Sequence, residues 1–389
     1  MPAANDPLPE EPLFEDIGRG VIDDGASRGF GSGFDGGLRG SGFDGRFESS
    51  GPDGGAPDDD AGAGARRPAA FGAVREAWRD ARPAFASVRF WFTVLCGLLF
   101  AIGGSMAVAA WGASDGWFAS DSGGWLAPAV GVAGLFLAAA LLAVVAAVLG
   151  VRWGFHSAHP YLAPVLGGVL GAGVRGLAFA LPAGLLLLGY GLVVGTPAAV
   201  VPAVGVMVFE FFAFGAIGAG ARACFAGTLP GGVLAWLLAA AMCVGNVVAM
   251  AMLLPGTLVD EPASVAVNVK RDSIGRYTYY ECIGEPVRSE TVLHSERVAW
   301  LGAMHPSVLF GTVAVGSVPV EEDLAWVLDG MQWASEGPAW DVPCLNGASS
   351  EELPTPMPLA LIGWAGQLGV AAVVTVPGLL LARRRAHRG

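Results

Sequence analysis

The chain has 389 residues and a formal net charge of −12, which argues against nucleic acid as a partner. Residues 1–85 hold 16 acids and nine arginines, and residues 256–356 hold 15 acids against four arginines and Lys270. The rest of the chain is basic and strongly apolar. This separation is typical of a membrane protein with two water-exposed regions.

Residues 1–70 consist mainly of Gly, Asp, Pro and Ser, and the motif Ser-Gly-Phe-Asp-Gly occurs at 32–36 and again at 41–45. Such a segment buries too little apolar surface to offset the entropy lost on ordering. The sequence therefore predicts a disordered tail.

Residues 71–86 have a different pattern, with three apolar side chains at helical spacing and three arginines between them: Phe71, Val74 and Trp78, and Arg75, Arg79 and Arg82. This pattern predicts an amphipathic helix in the cytoplasmic membrane interface, with the lipid bilayer as a partner. A simple positively charged anchor beside the first span is the alternative. Pro83 is expected to mark the bend into that span.

Six apolar stretches follow: Val88–Trp111, Trp125–Val151, Gly176–Gly195, Val201–Ala221, Leu229–Leu254 and Leu359–Leu381. At about 1.5 Å per residue, each is long enough to cross a hydrocarbon layer of about 30 Å. The sequence thus predicts an all-α polytopic membrane protein with six transmembrane helices. Helices 1–5 fall within residues 87–255, and helix 6 with a basic end falls within residues 357–389.

The arginines predict the orientation in the cell (plasma) membrane. If both termini are cytoplasmic, every arginine between or beside the spans lies on the cytoplasmic side: Arg89, Arg152, Arg175, Arg222, Arg383, Arg384, Arg385 and Arg388. Asp115 and Asp121 then lie outside.

Residues 152–175 are expected to form a cytoplasmic elbow, with His156 and His159 in it. The 14 residues from Tyr161 to Val174 are too few for a comfortable crossing, which predicts an interfacial or partly re-entrant segment.

Glu210 is the one ionisable residue well inside an apolar stretch. A charge there is costly, so the side chain is expected to face the bundle interior or water. It is a candidate intramembrane polar site that lines a path, holds a proton or caps a neighbouring helix. A neutral, hydrogen-bonded structural glutamate is the alternative.

The segment 256–356, predicted to be extracytoplasmic, has mixed α+β character. Val265, Val267 and Val269 alternate as in a strand, and Asp323–Trp333 has the pattern of a short helix. Cys282 and Cys344 both lie in this segment, where a disulfide would survive. The sequence leaves that bridge and two free thiols equally open.

Motifs for common enzyme chemistry are missing. Lys270 is the sole lysine and no P-loop surrounds it, and neither Gly-x-Ser-x-Gly nor His-Glu-x-x-His occurs. The sequence predicts no enzyme activity, no cofactor and no metal site.

The later half resembles the type-2 permeases of ATP-binding-cassette exporters, in the version common in actinobacteria. The resemblance covers roughly residues 150–389. Four runs and the basic end after the last span carry it: Gly218–Thr228, which looks like the short turn between spans four and five; Val233–Trp236 with Val244–Asn246; Ser295–Leu301; and Met304–Phe310, with His305 where asparagine is usual.

This resemblance implies a permease subunit that forms a translocation path, pairs with a second permease as a homo- or heterodimer, and is driven by a separate nucleotide-binding ATPase subunit. The implied surface for coupling to the ATPase comprises Arg75, Arg79, Arg152, His156 and His159.

One departure favours a different class. That family usually has a charged stretch after the second span, whereas Gly150–Ser157 contains no acid. The main alternative is a membrane-anchored interaction or sensory protein with an extracytoplasmic partner-binding domain. An intramembrane enzyme using Glu210 is a third reading, and it lacks a partner residue at a suitable spacing.

Overall fold

The computed structural model describes residues 69–114, 128–157, 164–271, 277–315, 325–353 and 357–387. The predicted tail up to residue 68 lies outside the described residues, as do Asp115, Asp121 and His159.

The α-helices are α1 (Ala69–Phe85), α2 (Val88–Ser114), α3 (Pro128–Ser157), α4 (Pro164–Val194), α5 (Val200–Cys224), α6 (Thr228–Ala240), α7 (Asn246–Leu253), α8 (Glu296–Ala303), α9 (Pro306–Ala314), α10 (Ala325–Ala334) and α11 (Leu359–Ala386). A π-helix, Ala241–Gly245, joins α6 to α7, and two strands, β1 (Leu258–Arg271) and β2 (Tyr277–Leu293), precede α8.

Six helical runs among the described residues are long and apolar enough to cross a membrane: Val88–Gly112, Gly131–Ser157, Val165–Val194, Pro197–Cys224, Thr228–Thr257 and Leu359–Arg385. Their number agrees with the prediction, and they are compatible with a multi-pass membrane protein.

The amphipathic helix predicted at 71–86 corresponds to α1. Ala77 and Ala81 are buried where α1 packs against α4, and Val74 and Trp78 are exposed. Pro83 lies inside α1, which ends at Phe85, and the break before α2 follows at residues 86–87.

The predicted elbow at 152–175 is too long. Helix α3 continues to Ser157, and α4 begins at Pro164 rather than at Gly176. Cβ atoms added at Gly173 and Gly176 would overlap the rings of Phe212 and Phe211, so these glycines let α4 pack closely against α5. The Gly-rich run is therefore the start of a span, which leaves only residues 158–163 for the elbow.

Helix α5 lies at the centre of the bundle and packs against α3, α4, α6, α9 and α11. Its closest neighbour is α3. A Cβ at Gly154 would overlap the Gly215 carbonyl oxygen, and one at Gly218 would overlap the Val151 carbonyl oxygen. The two backbones therefore approach to a separation that only glycine permits.

Strands β1 and β2 form an antiparallel hairpin that pairs from Leu258 opposite Leu293 to Arg271 opposite Tyr277. The pairing shifts between Ala263 and Val265, where residues 284–287 of β2 bulge out, and Gly284 there has a φ of +79°. Residues 284–287 are thus a bulge within one strand.

One face of the hairpin is covered by residues 338–353, here called the strap. Cys282 and Cys344 form a disulfide with a Cα–Cα distance of 5.6 Å, and the Ser264 N–H donates to the Cys344 carbonyl. The Tyr280 hydroxyl donates to the Ala339 carbonyl, and burial raises the pKa of Tyr280, so the donated proton is retained. The strap and the hairpin therefore form one small α+β unit.

The close contact between α3 and α5 predicts that alanine substitutions at two glycines will change stability by different amounts. Gly154→Ala is expected to destabilise the protein by about 1–3 kcal/mol, because the added methyl group meets backbone atoms that cannot move aside. Gly167→Ala in α4 is the matched control, because no atom lies within 4 Å of its added Cβ. Thermal unfolding in detergent measures both variants, and equal melting temperatures would contradict this packing.

The disulfide predicts the behaviour of the strap. Replacing both Cys282 and Cys344 by Ser should destabilise this unit by about 2–4 kcal/mol and expose the strap to protease. Limited proteolysis followed by mass spectrometry locates the cuts, which are expected within residues 338–353. Cys96→Ser, which alters a free thiol in α2, should leave the pattern unchanged. Identical patterns for all three proteins would refute the role given to the bridge.

Candidate functional site

Glu210 lies at the centre of the bundle and is completely buried in α5. Its Oε1 accepts a hydrogen bond of 3.0 Å from Nε2 of Gln367, which is equally buried in α11. The same Nε2 donates to the Met304 carbonyl at 3.1 Å, just beyond the end of α8. One side-chain amide therefore joins α5, α11 and the turn between α8 and α9.

His305 occupies that turn and uses both ring nitrogens. Nδ1 accepts from the Ser307 N–H at 3.2 Å and thereby caps α9, and Nε2 lies 2.7 Å from the Cys243 carbonyl oxygen. Because an acceptor faces Nε2 and a donor faces Nδ1, the hydrogen bonds assign the neutral tautomer with the proton on Nε2.

The Cys243 carbonyl lies in the π-helix Ala241–Gly245. There the Asn246 N–H bonds to the Ala241 carbonyl five residues back, which shifts the usual pairing of the helix. The His305 imidazole donates to the Cys243 carbonyl, so a hydrogen bond joins the π-helix to the α8–α9 turn.

Helices α8 and α9 form a hairpin that inserts into the bundle. The Ser307 hydroxyl donates to the Ala140 carbonyl at 2.9 Å, and Ala140 lies well inside the second span. Leu309 and Phe310 are buried, and the Phe310 ring lies 5.8 Å from that of Phe136 in α3. The apolar residues of this hairpin therefore pack between the spans, within the segment 256–356 that the sequence predicts to be extracytoplasmic.

We call Glu210, Gln367, Met304, His305 and Cys243 the polar node. Glu210 was predicted from the sequence, whereas its partner Gln367 was not. The signal for Gln367 was present, because it is the only amide side chain in the last span.

Three buried polar atoms at or near the polar node have no hydrogen-bond partner among the described residues: Glu210 Oε2, Gln367 Oε1 and Trp364 Nε1. Trp364 lies one turn before Gln367 on α11, and its ring is 6.0 Å from that of Phe209. Unpaired buried polar groups are rare in folded proteins and mark places where something else binds or moves.

The residues of the predicted coupling surface are exposed, so far as the structure describes them. This holds for Arg75 and Arg79 on α1 and for Arg152 and His156 near the end of α3. His156 Nδ1 donates to the Arg152 carbonyl at 2.7 Å, a bond within one helix.

Arg175, which the prediction assigned to the elbow, connects three helices. Its guanidinium donates to the Ser157 hydroxyl at the end of α3 and to the Asp80 carbonyl of α1 at 3.3 Å. Residues 75–79 and 152–156 thus belong to helices that Arg175 holds together at one end of the bundle. Sequence reasoning missed this role because it placed Arg175 outside a span.

A second polar cluster lies where the β-hairpin meets α8. His294 is buried between two carboxylates, with Nε2 at 3.1 Å from Glu261 and Nδ1 at 2.6 Å from Glu296. The Asn346 side chain of the strap donates to the other oxygen of Glu261. The cluster joins the β1–β2 hairpin, the strap and α8. It is not predicted by the sequence.

Comparisons of the chain with family profiles, with curated proteins and with solved structures found no match.

The two bonds of His305 predict how substitutions behave. His305→Ala removes the α9 cap and the donor to Cys243, and should destabilise the protein by about 1–3 kcal/mol in thermal unfolding. His305→Asn should recover part of this loss, because asparagine is a good N-cap. Thr312→Ala is the control, because its hydroxyl bonds only within its own helix. Equal melting temperatures for wild type and His305→Ala would show that the two hydrogen bonds of His305 contribute nothing to stability.

Proposed function

We propose that the chain is the membrane-spanning permease subunit of an ATP-driven exporter, driven by a separate nucleotide-binding subunit. The observation that best supports this proposal is the inserted α8–α9 hairpin, which is held at the centre of the bundle by the polar node. An element that only anchored a protein would need no such arrangement, because apolar packing alone would suffice.

The polar node suggests how a path would open. The Gln367 amide bonds α11 to α5 through Glu210 at the centre of the bundle, and it also holds the α8–α9 hairpin through Met304. Separation of α11 and the α8–α9 hairpin from α5 breaks the Gln367–Glu210 bond and opens a passage along α5. The walls near this passage are mostly Ala, Gly, Val and Phe, which suits an amphipathic or apolar cargo.

The two ends of the bundle differ in chemistry, and this difference supports one orientation in the plasma membrane. The disulfide-bonded unit between the fifth and sixth spans suits an oxidising exterior. The other ends of the spans carry arginines, including Arg152, Arg222 and Arg385, as the positive-inside rule favours for the cytoplasm. Both termini are then cytoplasmic, and α1 lies on the cytoplasmic side.

The partners are assigned to two surfaces. Arg75, Arg79, Arg152 and His156 form the exposed surface offered to the ATPase subunit, and His159 is predicted beside them. The span Thr228–Thr257 has the least buried surface of the six, with Leu229 and Met252 more than three-quarters exposed. This face is available to lipid and to a second permease subunit.

The alternative is a membrane-anchored sensory or interaction protein, and a specific observation favours it. The face of the β1–β2 hairpin opposite the strap exposes apolar side chains. Ile283 is 60% exposed and Val287 is 71% exposed. Exposed apolar residues on a disulfide-fastened unit are typical of a surface that binds a partner.

Affinity purification separates the two functions. The full chain is tagged at its C-terminus, expressed in its own host and purified in mild detergent, and co-purifying proteins are quantified by mass spectrometry. The exporter predicts a stoichiometric nucleotide-binding subunit and nucleotide hydrolysis in the purified complex. Repeated purification without any such subunit would reject the exporter and favour the sensory protein.

The same assay tests the coupling surface. Arg75→Glu combined with Arg79→Glu should reduce recovery of the ATPase subunit by about tenfold, since losing about 1.4 kcal/mol of binding free energy gives that factor. The control is Arg271→Glu at the end of β1, which alters an exposed arginine beyond the fifth span. Equal losses for both changes would show a general effect of charge rather than a binding surface.

A further inference from the structure

The hydrogen bond from Gln367 does not by itself explain how the carboxyl group of Glu210 is accommodated inside the bundle. It is the only acidic residue within the six spans, and its side chain is completely buried. Burying an ionised carboxylate costs many kcal/mol unless a cation or several donors compensate the charge. Gln367 Nε2 is the single donor that reaches it among the described residues, and Oε2 receives none.

No basic side chain among the described residues pairs with Glu210. Arg175 bonds to Ser157 and Asp80, and Arg222 donates to the Phe225 carbonyl. Arg385 donates to the Ala223 carbonyl. Each of these guanidiniums is therefore engaged elsewhere.

The titratable groups nearest to Glu210 carry no compensating charge. His305 is committed on both nitrogens as a neutral ring. Cys243, on the π-helix, is the other titratable neighbour, and its thiol ionises only to an anion. Gln367 and Trp364 on α11 do not titrate, and α3 presents Gly150 to the Glu210 backbone.

We propose that the polar node is an intramembrane proton-binding site, in which Glu210 carries a proton on Oε2 and pairs with Gln367 as a carboxylic acid with an amide. In this pair, Oε1 acts as the carbonyl acceptor of the Gln367 N–H, as the structure shows. Glu210 Oε2 and Gln367 Oε1 are both buried acceptors without a hydrogen-bond partner among the described residues. A proton on Oε2 turns one of these two acceptors into a donor. A single added proton thus neutralises the carboxylate and supplies a donor for Oε1 of Gln367.

The site links protonation to the conformation of the bundle. Gln367 Nε2 bonds both Glu210 and the Met304 carbonyl, so the amide stays in place only while α11 and the α8–α9 hairpin remain against α5. If these elements separate and water reaches Glu210, the acid can transfer its proton to water, leaving a hydrated carboxylate and a hydronium ion. Opening therefore releases a proton and closing takes one up. This holds whether or not an ATPase subunit binds the chain.

Infrared spectroscopy of the full protein in lipid bilayers tests the proposal directly, because a protonated carboxyl has a C=O absorption that an ionised carboxylate lacks. The difference between wild type and Glu210→Gln at neutral pH should contain one carboxylic-acid band. Glu290→Gln, a change at a partly exposed glutamate on β2 that pairs with Arg288, should leave that band in place. A wild-type spectrum without the band at neutral pH would overturn the proposal.

Two further variants keep the test decisive if Glu210→Gln fails to fold. Glu210→Asp retains the acid and should move the band, because the carboxyl is displaced from Gln367. Gln367→Leu should shift the band to higher wavenumber, since the C=O group then loses its donor. A band that neither change moves belongs to another residue and refutes the assignment.

Replacing choline by sodium in the buffer distinguishes a proton from a metal cation as the ligand. The proton site predicts the same band in both buffers. Loss of the band in sodium alone would show that Na⁺ displaces the proton, and the node would then be a cation site instead.

Discussion

The hydrocarbon interior of a membrane contains no water, so every polar group of this bundle needs a partner supplied by the protein. Most backbone groups meet this constraint within their own helices. Regular helical pairing is interrupted where the π-helix, the end of α8 and the start of α9 come together. Two side chains, Gln367 and His305, donate to the Met304 and Cys243 carbonyls there, and these bonds position the inserted α8–α9 hairpin.

Close packing around α5 makes that arrangement possible. Gly154 and Gly218 bring α3 and α5 into backbone contact, and Gly220 and Gly378 bring α11 equally near, since a Cβ on either would crowd the facing backbone. At such separations a short side-chain amide spans the gap between helices. With larger residues at these positions, Gln367 would not reach both Glu210 and the Met304 carbonyl.

The two ends of the bundle are built on different chemistry. Arg175 joins α1, α3 and α4 at one end by donating to an uncharged hydroxyl and a backbone carbonyl. At the other end, a disulfide and the His294–Glu261–Glu296 cluster fasten the hairpin, the strap and α8. Movement of α8 would therefore be transmitted to both the β-hairpin and the polar node, since α8 contacts the first at Glu296 and leads into the second at Met304.

The sequence by itself determined the six spans, the amphipathic helix before them and the unusual position of Glu210, because hydrophobicity, helical period and buried charge are local properties. It left the Cys282–Cys344 bridge open, placed the start of α4 twelve residues late and gave no sign that the α8–α9 hairpin inserts between the spans. Only the tertiary structure decided these points. A short apolar segment is equally compatible with a surface and with an interior, and the glycines, carbonyls and amide that select the interior come from distant parts of the chain.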